Sequence, residues 1–282
     1  MDASFDLLGF DLSGGPASPV ILSVPHAGRD YPPALRAALR VPLAALTLLE
    51  DRHVDAVAAA ARGGETMLVQ RRARAWIDLN RGEDERDPRV DEGAAATARP
   101  GRSAKIQSGL GLVPARAGRA DGLWRRRFTG PEIAARIAAD HRPYHAALAA
   151  ALMAARARFG VAVLLDVHSM PPLPDGRRIV LGDRFGRSAA PRFVARLEAE
   201  AEADRLPLAL NTPYAGGHIL DRHGHPERGV HAIQLELDRS LYLDRALDRP
   251  GAGLGAAARL LRRMVLALAD EAVTATFAQA AE

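Results

Sequence analysis

Asp166 and His168 stand two residues apart at the end of an otherwise apolar run, VAVLLDVHS (161–169). In an extended strand alternate side chains share a face, so both ionisable groups point one way and Val167 the other. Ligands of open α/β sheets bind at the carboxyl ends of the strands. A histidine there is able to ligate a metal or act as a base; the plain alternative is an imidazole satisfied by backbone. A second strand-like run, VILSVPHAG (20–28), also ends on a histidine, His26. Pro25 before it and Gly28 after it mark a sharp turn with close backbone approach. Two parallel strands that each end in a histidine would bring both imidazoles to one point, where divalent zinc takes such nitrogens plus a carboxylate.

Three further segments hold chemistry. LLEDRHVDAV (48–57) places Glu50, Asp51, His53 and Asp55 in an otherwise apolar stretch that reads as helix, with Asp51 and Asp55 four apart on one face. Asp51 is the expected acidic ligand, and Glu50 and Asp55 read as a solvated face. WIDLNR (76–81) runs from apolar residues into Asp78, Asn80 and Arg81. An amide beside a guanidinium fork suits a carboxylate ligand; an Asp78–Arg81 ion pair closing a loop is the alternative. In HAIQLELDRS (231–240), Ile233, Leu235 and Leu237 share one face and Gln234 and Glu236 the other. A glutamate in mid-strand is costly to bury without a partner. Beside an activated water Glu236 would be a general base; a salt bridge to Arg239 or Arg222 is the plainer reading.

Strand-like and helix-like segments alternate along the chain, which predicts an α/β fold with a central sheet and helices on both faces. Strands are expected at 19–25, 66–70, 74–79, 161–168, 177–182 and 230–237. Residues 33–62 read as helical on both sides of Pro42. Thr129 to Phe159 is a helix opened by a Thr129–Glu132 capping box and kinked or split at Pro143. Further helices are expected from Pro191 to about Ala203 and over 254–280. Residues 82–127 lack apolar periodicity, and their length favours a substrate-covering loop after IDLNR. No linker divides the chain, so residues 1–282 read as a single domain.

Composition narrows the class. With no cysteine, disulfides and thiolate ligands are excluded, and any metal must rest on His, Asp or Glu. The net charge of +4 comes almost wholly from arginine spread along the chain, with Lys105 the only lysine. Without a charge cluster, and with few aromatic stacking platforms, no nucleic-acid partner is expected. No apolar run reaches the ~20 residues of a membrane span. The N-terminal stretch carries acids where a secretion signal is basic, so the cytoplasm is the expected compartment.

Taken together, SVPHAGRDYP (23–32), EDRHVDAV (50–57), RAWIDLNR (74–81), LLDVHSMPP (164–172), NTPYAGGHI (211–219) and PERGVHAIQLELDRSLYLD (226–244) resemble the N-formylglutamate amidohydrolase family. That family is similar in turn to the carboxypeptidase A and aspartoacylase group of zinc hydrolases. The resemblance implies a mixed, mostly parallel central sheet of eight strands, one zinc ion, and a histidine-degradation role. By the matching motifs, DVHS implies His168 as the last zinc histidine. DLNR implies Asn80 and Arg81 as the grip on a substrate carboxylate, and LELDR implies Glu236 as the catalytic glutamate. The group's peptidases place a zinc-binding Glu three residues after the first histidine, where this chain has Arg29 followed by Asp30. The expected metal set is therefore His26, Asp51 and His168, with Glu50 and Asp30 as the other acids that could fill the acidic place.

The expected reaction is hydrolysis of the formyl amide of N-formyl-L-glutamate, or of a related N-acyl amino acid. Arg126 of WRRRF (124–128), just before a helix N-terminus, would anchor a second carboxylate, and Tyr214 of TPYAGGH (212–218) would lie in a loop facing the ligand. None of His218, His223, His225 and His231 is assigned to metal. Two alternatives stay open: a metallocarboxypeptidase or other N-acyl amino acid deacylase on the same site, and a non-catalytic binding protein on a degenerate hydrolase scaffold.

Overall fold

The computed structural model describes residues 4–11, 15–97 and 104–280. The part of the expected loop at 98–103 lies outside the described residues. Contacts divide the chain into two compact units: residues 1–5, 25–51 and 70–146 form one, and 6–24, 52–69 and 147–282 the other.

The second unit is organised by a sheet. Its strands are β1 (Phe5–Leu8), β2 (Val20–Val24), β3 (Thr66–Gln70), β4 (Ala162–Met170), β5 (Ile179–Gly182), β6 (Leu208–Leu210) and β7 (Val230–Asp238), in the spatial order β1-β3-β2-β4-β7-β5-β6. The block β3, β2, β4 and β7 is parallel throughout; β5 runs antiparallel to β7, and β6 parallel to β5. The sheet is thus mixed and mostly parallel. β2 and β4 are buried along their whole length, which is why their sequences read as continuous apolar runs and not as alternation. Helices α2 (Val54–Ala61), α5 (Pro191–Ala203) and α7 (Leu254–Ala280) pack side by side, with α7 between the other two and resting on β2 and β4, while the short α6 (His218–His223) packs on β7. No described helix is long and apolar enough to cross a membrane.

The first unit is built from turns and short helices. It contains α1 (Pro33–Ala38), a 3-10 segment Leu43–Leu49, α3 (Gly130–Arg136) and the start of α4 (Arg142–Phe159). The capping box forms as expected: Glu132 N–H donates to the Thr129 hydroxyl, while the Glu132 carboxylate accepts from Thr129 N–H. The helix is divided just ahead of Pro143, as expected, with α3 ending at Arg136 and α4 opening at Arg142. A π turn at Ile137–His141 widens the backbone ahead of the proline, making room for a ring that has no N–H and would crowd the preceding turn.

Three expectations are corrected. Among the described residues the sheet has seven strands, against the eight implied by resemblance. RAWIDL (74–79) is a chain of turns and not a strand: Trp76 N–H donates to Ala73 O and Asp78 N–H to Leu112 O. Those bonds satisfy its backbone without a ladder. Glu50 and Asp51 do not sit on a helix with Asp55; Glu50 is extended and Asp51 lies outside any regular element, between the 3-10 segment and α2, which starts after His53 in a left-handed conformation. A helical face shared by Asp51 and Asp55 therefore does not exist, and Asp51 is released to point elsewhere.

Candidate functional site

In the sheet, parallel register places Asp166 beside Gln234 and His168 beside Glu236. Adjacent in-register residues project to the same face, so β4 and β7 lay four polar groups side by side inside an apolar core. Each is held. Ser23 of β2, in register with Asp166, donates its hydroxyl to Asp166 Oδ1 at 2.7 Å. Asp166 Oδ2 lies 2.8 Å from His168 Nε2, and Gln234 Nε2 donates to Glu236 Oε1 at 2.9 Å. All four are at most 7% exposed, and burial of this kind is tolerable only with such pairing. Farther along, Arg239 donates to the Ser169 hydroxyl at 3.1 Å.

In the other unit, the turn after β2 carries His26. Asp51 N–H donates to His26 O at 2.9 Å, tying the two backbones. Gly28 lies so close to Arg72 O that a Cβ there would come within 2.1 Å of it; the close approach expected of this glycine is real. His26 Nε2 is 2.7 Å from Asp78 Oδ1, and its Nδ1 is 3.7 Å from Asp51 Oδ2. Asp78 is fully buried and also accepts from Arg74 Nε at 2.8 Å and from Asn80 N–H at 2.9 Å. Burial acts to raise its pKa, but the nearby charges of Arg74, His26 and Arg81 outweigh it and hold the carboxyl well below the usual range.

The turn that presents Asn80 and Arg81 is braced from α4 and the π turn. His141 Nε2 lies 2.8 Å from Arg81 O and His145 Nε2 lies 3.0 Å from Leu79 O, both rings fully buried. Arg81 is itself buried; its Nε donates to Leu110 O at 2.8 Å. Burial pushes its pKa down, with Asp78 opposing.

His26, Asp51 and His168 each offer one ligand atom, and these atoms all lie within 4.8 Å of one another. The alternatives for the acidic place are engaged elsewhere: Glu50 accepts a hydrogen bond from the Tyr31 hydroxyl, and Asp30 pairs with Arg72. In both histidines Nε2 faces a buried carboxylate, Asp78 or Asp166. Metal-ligating histidines are commonly oriented this way, through a carboxylate on the ring nitrogen that does not bind the ion. The donor set fits a divalent cation that accepts nitrogen and oxygen.

The family model described as N-formylglutamate amidohydrolase matches residues 18–243. The chain belongs to that family. Relatives named N-formylglutamate deformylase from Pseudomonas aeruginosa and Pseudomonas putida are 34% and 33% identical to it, each match covering 80% of this chain and 82% of the relative. The crystal structure of an N-formylglutamate amidohydrolase from Ralstonia eutropha JMP134 superposes with a TM-score of 0.84 at 31% identity, over 96% of this chain and 99% of that one. A gene product of Agrobacterium tumefaciens, 18% identical, shares the fold with a TM-score of 0.67 over 98% of this chain and 96% of that one.

Within this amidohydrolase the remaining expected residues have distinct settings. Arg126 is half exposed and forks onto Glu132 at 2.6 and 2.9 Å. The Glu132 carboxyl is lowered to about 2, first by Arg126 and then by the Thr129 backbone N–H. A substrate carboxylate at Arg126 would therefore compete with the capping glutamate. Tyr214 is half-buried against Met170, Val180 and Ala209, in a loop that passes so close to Gly182 that a Cβ there would meet its backbone at 2.6 Å. Asp78, His141 and His145 were not foreseen in their positioning roles. Asp78 had been read only as a partner for Arg81. The four-residue spacing in HRPYH (141–145), which puts two imidazoles on one face, was the available signal.

Proposed function

We propose that the protein is a zinc-dependent hydrolase that removes the formyl group of N-formyl-L-glutamate, releasing formate and glutamate in the cytoplasm as part of histidine degradation. The observation that carries this reading is the convergence of ligand atoms from His26, Asp51 and His168 within 4.8 Å of one another. Family membership supplies the substrate class. Zinc held there supplies Lewis acidity toward the formyl carbonyl and lowers the pKa of a water.

The chain's own residues do the rest. Glu236 takes a proton from the attacking water and returns it to the leaving nitrogen as the C–N bond breaks. The water oxygen stays with the formyl carbon, so the products are formate and a free amine. Gln234 donates to Glu236 Oε1 and so holds that carboxylate in orientation. Asn80 and Arg81 grip one substrate carboxylate, on a turn that Asp78, His141 and His145 hold in place. Arg126 takes the second carboxylate by exchange with Glu132, and Tyr214 lines the ligand. The described parts of the segment, 82–97 and 104–127, cover the substrate, and the chain acts as one functional domain.

The test is a hydrolysis panel with and without chelator, together with metal analysis of protein purified without added metal. Release of formate from N-formyl-L-glutamate, well above release of acyl groups from N-acetyl and peptide substrates and abolished by chelation, is the expected result. Preference for a peptide or an N-acetyl substrate would move the assignment to a carboxypeptidase or a different deacylase. Chelator-insensitive turnover would remove the metal.

A further inference from the structure

The amino ends of two central strands carry a polar cavity. It has a volume of about 390 Å³ and lies where β4 and β7 begin, lined in part by Val161 and Gly229. From Ala162 to His168 is about 20 Å of extended strand, so this cavity is remote from the residues assigned to hydrolysis. Arg156 near the end of α4, Arg192 in the first turn of α5 and Arg228 ahead of β7 line it, together with Glu227 and His231.

The charges there are only partly balanced. Arg192 Nε is 3.5 Å from Glu271, and Arg228 Nε is 3.7 Å from Glu227. The Arg156 guanidinium makes no ion pair or hydrogen bond among the described residues. Helix α5 begins here on Ala190, which provides no side-chain cap. Its N-terminus therefore presents the positive end of the helix dipole uncapped.

His231 supplies an independent pointer. It is 3% exposed, and its Nδ1 accepts the Ala190 N–H at 3.2 Å. That bond fixes the neutral tautomer with its proton on Nε2. Nε2–H makes no hydrogen bond among the described residues, and the ring lines the cavity.

We propose that this cavity binds a small oxyanion of the phosphate class, up to the size of pyrophosphate. Arg156 and Arg228 supply planar donor forks, α5 its N-terminal dipole, and His231 a neutral Nε2–H donor. Glu227 yields its contact with Arg228 when the anion arrives. Three guanidinium groups face two carboxylates, Glu227 and Glu271, and Arg156 pairs with neither, so positive charge is left over, which favours a multiply charged phosphate over formate or glutamate. Burial and then the charge of Arg192 lower His231 to about 4; an anion among Arg156, Arg192 and Arg228 would raise it.

Titration of the purified protein with inorganic pyrophosphate, followed by calorimetry and by NMR of the histidine rings, tests the site. His231→Gln identifies the His231 signal. The expected result is saturable binding that weakens with salt, moves the His231 ring signals and raises its titration point. Arg156→Ala should weaken binding roughly tenfold or more while leaving hydrolytic turnover unchanged, which shows that the variant is folded. Arg228→Ala should act in the same direction. Binding that is unchanged in Arg156→Ala, that leaves the His231 signals where they were, or that is matched by formate or glutamate overturns the proposal. None of these outcomes bears on the deformylase reading.

Discussion

The two histidines of the metal group receive their carboxylates by opposite routes. His168 takes Asp166 from its own strand, two residues away, at 2.8 Å. His26 takes Asp78 from a turn distant in sequence, at 2.7 Å. In the strand the pairing follows from backbone periodicity alone, and the remaining oxygen of Asp166 is held by Ser23 on the neighbouring strand at the registered position. Asp166 thus serves one imidazole. Asp78 serves His26, Arg74 and the Asn80 N–H together, so one carboxylate orients a histidine of the candidate metal group and shapes the Asn80–Arg81 turn. A regular element delivers a single function with little coupling, whereas a turn delivers several functions that cannot be changed separately.

The largest test of this symmetry removes the rings themselves. His26→Ala and His168→Ala should each lose bound metal, and turnover should fall to background in both. If one variant keeps near-stoichiometric metal by elemental analysis, its imidazole is no ligand and the two pairs are not equivalent. Next in size is Glu236→Gln on β7. It should retain metal and the fold while turnover falls by about 10²–10⁴-fold; an active variant would return Glu236 to a structural role.

The carboxylates then separate the strand from the turn. Asp166→Asn and Asp78→Asn should each weaken metal affinity by about 10–100-fold. Only Asp78→Asn should also raise KM for N-formyl-L-glutamate, measured at saturating metal, because it loosens the turn that carries Asn80 and Arg81. Equal KM effects would mean that Asp78 is as specialised as Asp166. A unit KM ratio in both would take the Asn80–Arg81 turn out of substrate binding.

The same contrast explains what the sequence made legible. Strands β2, β4 and β7 were readable because each is a buried apolar run whose polar residues obey a period of two. Helix α5 was readable from its opening Pro191, and α7 from its alanine- and leucine-rich length. Asp166 with His168, and Gln234 with Glu236, are therefore legible as two same-face pairs, whereas their juxtaposition across β4 and β7 depends on strand register. The turn at 74–81 was misread as strand because its backbone partners include Leu112 O, far along the chain, and local pattern carries no trace of such a bond. Asp51 was assigned for its residue type, although the helix invoked to present it is absent there. His141 and His145 went unread for the same reason as the turn: their partners are carbonyls of Arg81 and Leu79, and carbonyls have no sequence signature.

The smallest expected effect comes from a histidine on the same sheet that lacks a carboxylate. His231 on β7 meets the Ala190 N–H instead and packs on Phe193, ring centroids 4.5 Å apart. Burial, then the charge of Arg192, lowers its pKa from 6.5 to about 4, so the folded protein resists a proton that the unfolded chain accepts. The stabilisation from keeping this ring neutral is complete above pH 6.5. It drains away as the pH falls toward 4, where the folded ring also protonates, and nothing more is lost from it below that. His231→Gln keeps an acceptor for Ala190 N–H but cannot titrate. Its melting temperature should fall less steeply than that of the unmodified protein between pH 6.5 and 4, by an amount on the order of a few degrees. Parallel curves would mean that His231 titrates alike in both states. The rule that a buried histidine without a carboxylate is held neutral, while one with a carboxylate is poised for a cation, would then fail on this sheet.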